Sequence, residues 1–128
     1  MKVFLGGTCN NSRWREVLIP MLKIDYFNPV VENWTPECQK REIEEREKAD
    51  FVLYVITKEM TGVYSIAEVV DDSNKRPETT LFCVLKEGFN EGQLRSLSMV
   101  SQLVRRNGAK VFETLEEIAD YLNGYGGA

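Results

Sequence analysis

The chain contains no histidine, so His-dependent triads and His-ligated zinc sites are excluded and acid or base chemistry falls to carboxylates. Position singles out Glu68 among them. The run Ala49-Asp50-Phe51-Val52-Leu53-Tyr54-Val55-Ile56-Thr57 is apolar, β-branched and aromatic, the pattern of a strand buried on both faces. Its continuation starts polar, passes Gly62 and turns helical near Val63. In an open parallel sheet, ligands sit beyond the carboxyl ends of the strands, which directs attention to residues 57–68. Tyr64 and Glu68 fall one turn apart there, and the positive end of the helix dipole favours an ionised carboxylate.

Two further stretches could meet a ligand. Gly6-Gly7-Thr8-Cys9-Asn10-Asn11-Ser12 can present backbone amides and hydroxyls, although it matches neither GxGxxG nor a P-loop and serves equally as a tight strand-to-helix turn. Trp34 lies in a polar loop bounded by Pro29 and Pro36. A flat aromatic there can stack on a planar heterocycle or cover the edge of the core.

These residues need elements to hold them. Residues 2–5 read as a first strand, followed by a helix from about Arg13 with Asn11 or Ser12 as its cap and Val17, Leu18, Met21 and Leu22 at helical spacing. Residues 24–27 form a second strand. Residues 37–48 form a charged helix with Glu42/Arg46 and Glu44/Lys48 four apart. After the central strand, Val63, Ile66, Ala67 and Val70 make an inward apolar stripe, and the polar segment 71–79 ends that helix. A strand at 80–85, a helix at 93–106 facing inward through Leu94, Leu97, Val100, Ser101 and Val104, a strand at 110–112 and a helix from Thr114 to Leu122 follow. Thr114 and Glu117 have capping-box spacing. The result is an α/β, flavodoxin/Rossmann-like five-stranded parallel sheet of order 2-1-3-4-5 with helices on both faces. Residues 1–123 form one domain and 124–128 a flexible tail. The 2-1-3 order brings residues 6–12 and 57–68 to opposite lips of one cleft.

Composition agrees with this class. Apolar content of 43% and charged content of 28% are those of a globular domain, and a net charge of -4 argues against a nucleic-acid groove. Cys9, Cys38 and Cys83 are odd in number and far apart, which fits a reducing compartment. With no signal-peptide pattern and no membrane-length apolar run, the expected location is cytoplasmic.

With these residues laid out, the chain resembles the nucleoside 2-deoxyribosyltransferase-like family, which includes deoxynucleoside-phosphate N-glycosidases. The resemblance rests on Val3-Phe4-Leu5-Gly6-Gly7-Thr8, the helix-to-strand passage 42–55, and Thr61-Gly62-Val63-Tyr64-Ser65-Ile66-Ala67-Glu68. It implies cleavage or transfer at an N-glycosidic bond of a small nucleoside or nucleotide, with Glu68 as nucleophile and Glu42 as the second acid. Gly6, Gly7 and Thr8 would line the sugar and base site, with Asn10 in the same loop, and Trp34, Gly62 and Tyr64 would complete the substrate-binding set. No metal or organic cofactor is implied. Homo-oligomers that share pocket residues are expected, with Ser96, Ser98 and Met99 in the part of the chain that would reach a neighbour. Family members often carry an acid a turn before the nucleophile, where this chain reads Thr61-Gly62-Val63-Tyr64, without an acid. That difference is the best support for a competing reading, a non-catalytic nucleotide-sensing module. A third reading is a TIR-like hydrolase of NAD-related nucleotides.

Overall fold

The computed structural model describes residues 1–9 and 11–126. The strands are β1 (Lys2–Gly7), β2 (Asp25–Phe27), β3 (Phe51–Ile56), β4 (Thr80–Val84) and β5 (Lys110–Phe112). Between them run α1 (Trp14–Leu18), α2 (Pro36–Lys48), α3 (Tyr64–Lys75) and α4 (Glu91–Arg106), and α5 (Leu115–Gly126) comes last. All pairings are parallel, and the order β2-β1-β3-β4-β5 is the one read from the sequence.

Every residue of β3 is buried, and alternate side chains feed two cores. Phe51, Leu53 and Val55 pack with Trp14, Leu18, Ile118 and Leu122 of α1 and α5. Val52, Tyr54 and Ile56 pack with Val69, Leu97 and Val104 of α3 and α4. Each large apolar side chain so buried contributes roughly 1.5–3 kcal/mol, so β3, which feeds both cores, anchors the fold. No helix among the described residues is long and apolar enough to cross a membrane.

Local boundaries differ from the sequence reading for identifiable reasons. β1 continues through Gly6 and Gly7 because these residues let it lie against β3. A Cβ on Gly6 would stand 2.6 Å from Tyr54 Cε1, while Gly7 has φ +111° and a Cβ there would meet the Val55 carbonyl at 2.1 Å. Pro20 has no N–H, and the end of α1 tightens into a single 3-10 turn, Ile19–Met21. Val17, expected inward, is exposed. Neither Asn11 nor Ser12 caps α1, whose N-cap is Arg13 without a side-chain bond. The Ser12 hydroxyl instead pairs with Thr57 Oγ1 at 2.7 Å.

The largest correction concerns α3. Val63 is 72% exposed, Ala67 is exposed and Ile66 and Val70 are only half-buried, whereas Glu68, Val69, Asp72 and Ser73 face inward. A polar face can be buried when its groups are partnered. Tyr54 donates to Asp72 at 2.6 Å, and Ser73 Oγ donates to the Val70 carbonyl and accepts from Asn107. The helix runs through Lys75, into the polar stretch expected to end it. α5 likewise extends past Leu122 into the expected tail, because Tyr125 packs on Phe51 with ring centroids 5.1 Å apart. Residues 127 and 128 lie outside the described part.

Candidate active site

α2 forms for local reasons. Thr35 Oγ1 accepts the N–H of Cys38 at 3.2 Å, Pro36 fits the first turn, and Arg46 and Lys48 sit at the negative end of the dipole. Yet α2 has no buried residue. Polar anchors dock its C-terminal half: Lys2 pairs with Glu45 at 2.9 Å, and Arg76 donates to the carbonyls of Arg46 and Ala49. Among the described residues, neither expected pair, Glu42/Arg46 or Glu44/Lys48, forms a salt bridge; Arg46 reaches across to Glu68, Asp71 and Asp72 of α3.

Between α2 and the first turns of α3 lies a cleft of about 190 Å³, lined by Trp34, Gln39, Glu42, Ile43, Arg46, Tyr64 and Glu68. Four predicted site residues therefore converge: Trp34, Glu42, Tyr64 and Glu68. Trp34 is 61% exposed, so its ring stands at the cleft mouth instead of covering the core. Tyr64 flanks the opposite side from α3. Glu68 is nearly buried, and its carboxylate accepts no hydrogen bond from the described residues.

The electrostatics reverse one expectation. Glu68 is the fifth residue of α3, past the reach of the dipole's first turn. Burial pushes its carboxyl up to about 7, and the neighbouring Glu42 and Asp72 push the same way while Arg46 opposes them. Burial also raises Glu42, against the charges of Arg15 and Arg46. The site therefore holds two carboxyl groups that bind protons more tightly than free glutamate, one of them titrating near neutrality. Such a group can act as nucleophile or general base.

Other predicted residues do not line this cleft. Gly6 and Gly7 belong to β1. Thr8 is buried, with Oγ1 accepting the N–H of Thr57 at 3.0 Å and its carbonyl accepting from Trp14 Nε1 and Arg15 Nη1. It fastens the end of β1 to β3. Gly62 lies in an exposed loop with nothing within 4 Å of an added Cβ, and Asn10 lies outside the described residues. A larger cavity of about 420 Å³ between α4 and β5 includes Ser98 but none of the predicted catalytic or substrate-binding residues, and its one carboxylate, Glu113, is paired with Lys86 at 3.0 Å.

Sequence reasoning missed four residues that shape the site. Arg46, half-buried, and Asp72 and Tyr54, both buried, form a hydrogen-bonded chain behind Glu68. Arg15, buried and stacked 4.3 Å from the Trp14 ring, donates to the Leu5 and Thr8 carbonyls, and its charge acts on Glu42. A usable signal existed for Asp72, which follows Tyr64 and Glu68 at successive four-residue steps on one helix face. Among the described residues, no group of three or more His, Cys, Asp or Glu side chains is arranged to hold a metal ion.

A search of curated proteins finds no match to this chain. The family model described as nucleoside 2-deoxyribosyltransferase like matches residues 1–87, a span that includes β1, the paired carboxylates of α2 and α3, and β4. With that match over more than half its length, the chain belongs to the nucleoside 2-deoxyribosyltransferase-like family.

Proposed function

We propose that the protein cleaves the N-glycosidic bond of (deoxy)nucleosides or their phosphates, or transfers the sugar between bases, with Glu68 as the nucleophile. The carrying observation is the convergence of Glu68 and Glu42 with two aromatic rings in one cleft. A Glu68 oxygen attacks C1′ as the C1′–N bond breaks. The bonding electrons leave on the base nitrogen, which takes a proton, and a glycosyl ester remains. Water or a second base then attacks C1′ and restores the Glu68 carboxylate; water gives hydrolysis and surrenders its proton, and a base gives transfer. Glu42 positions the sugar or handles the proton. Trp34 and Tyr64, which line the cleft, pack on the base. Three free thiols, at Cys9, Cys38 and Cys83, agree with a cytoplasmic setting.

A chromatographic assay of base release, run on a panel of nucleosides, nucleotides and NAD, tests this reading. Release by the wild type, lost in Glu68→Gln, together with a glycosyl adduct in the mass spectrum, is the expected result. Undiminished turnover by Glu68→Gln would remove the assignment. Tyr64, in place of an acid, favours the sensing reading, for which calorimetry would find tight binding with no base released. Release of nicotinamide alone would point to the NAD-directed alternative.

The same reading includes a homo-oligomer. Exposed Val63 and Ala67, with half-buried Ile66 and Val70, line an open, mainly apolar groove on α3, the helix that carries Glu68. A second copy covering it would remove that surface from water. A single monomeric species in sedimentation velocity would exclude the shared assembly.

A further inference from the structure

Arg46 stands four residues after Glu42 on α2, yet its guanidinium serves α3. Nε and Nη2 form a side-on pair with the two oxygens of Asp72, at 3.0 Å each. Nη2 also reaches Asp71 Oδ2 at 3.3 Å and the Glu68 carbonyl at 3.4 Å. Asp72 is fixed in turn by the Tyr54 hydroxyl, which donates to it at 2.6 Å from the fully buried strand β3. Because the fork is planar and rigid, fixing one edge fixes the direction of the remaining nitrogen. That nitrogen, Nη1, has one partner among the described residues: Glu68 Oε2, at 3.7 Å.

Docking of α2 on α3 is already achieved by the Asp72 pair. The separate placement of Nη1 beside Glu68 adds a cation at the cleft. At 3.7 Å it attracts the carboxylate without forming a hydrogen bond, so the oxygen lone pairs stay available. The titratable and charged groups around Glu68 are Glu42 and Arg46 of α2, Asp72 of α3 and Tyr54 of β3. Two are acids, and Arg46 is the cation that counters them.

We propose that Arg46 is a positioning residue for Glu68: clamped by Asp72, which Tyr54 fixes in turn, it holds the Glu68 carboxylate turned into the cleft and ready to attack. This inference rests on the nucleophilic role proposed for Glu68. It also explains why one arginine is divided among the carboxylates of Glu68, Asp71 and Asp72. When Glu68 loses its charge by forming an ester, Asp72 still partners the guanidinium, so Arg46 keeps its place through the reaction.

The test uses the full chain labelled with ¹³C at the glutamate carboxyl carbons, with Glu68 assigned by difference from Glu68→Gln. In Arg46→Met the Glu68 titration midpoint should rise by about one pH unit, and kcat should fall about 10²-fold with KM nearly constant. Arg46→Lys keeps a charge but loses the fork, so its midpoint should stay near that of the wild type while kcat still falls about 10-fold. Wild-type turnover by Arg46→Lys, or an unmoved midpoint in folded Arg46→Met, overturns the proposal. Should Arg46→Met not fold, the Arg46→Lys rates decide. If Glu68→Gln proves fully active, the nucleophile assignment fails separately, and the titration still reports whether Arg46 acts on Glu68.

Discussion

In the proposed reaction Glu68 must be ionised to attack carbon, yet burial beside Glu42 and Asp72 favours its protonated form. The linkage has a definite sign. Its folded-state value, about 7, lies above the ordinary value of 4.5, so the native state binds the extra proton between these limits and stability falls as pH rises through that window. Above pH 7 the full cost is present, at most about 3 kcal/mol. Glu68→Gln should therefore raise stability in urea denaturation at pH 8 by about 1–3 kcal/mol and lose that gain near pH 4.5. Over the same range, kcat/KM of the wild type should climb with an inflection near pH 7, as the ionised fraction grows. The position of Glu68 was legible because strand, loop and helix signals lie next to it in the chain. Arg46 was not, since its sequence neighbour Glu42 offered a plausible partner while its true partner Asp72 is 26 residues away.

Among the elements, β3 was read correctly because double-sided burial leaves an uninterrupted apolar run. α3 was misread because periodicity assumes that the inward face is the apolar one. Here the inward face carries Glu68, Asp72 and Ser73, tolerated because Asp72 and Ser73 are hydrogen-bonded and Glu68 lies beside Arg46, and no feature of a single helix reveals partners on other elements. The turn after β1 was placed two residues early: Gly6 and Gly7 belong to the strand and answer to β3 instead of lining the cleft. Gly7→Ala would combine an unfavourable positive φ with a collision against the Val55 carbonyl. It should destabilise the fold by more than about 2 kcal/mol, read as a lower urea midpoint.

For the whole molecule, strand order followed from short connections and right-handed crossovers, rules that need no knowledge of side-chain contacts. Surface assignment was harder, since the apolar stripe of α3 is split: Ile66 and Val70 pack against the core while Val63 and Ala67 are exposed. If Val63, Ile66 and Val70 meet a second copy, Val63→Asp should shift sedimentation from an assembly to the monomer while circular dichroism is unchanged.

The absence of any buried residue in α2 reaches further. One wall of the cleft, bearing Trp34 and Glu42, is fastened by ion pairs and carbonyl contacts while the apolar cores lie elsewhere. Dissolved ions shield such attachments within about 3 Å at 1 M, but leave hydrophobic packing intact. Concentrated sodium chloride should thus silence base release several-fold before it alters the far-ultraviolet spectrum, making this a protein whose working surface loosens in brine while its scaffold holds.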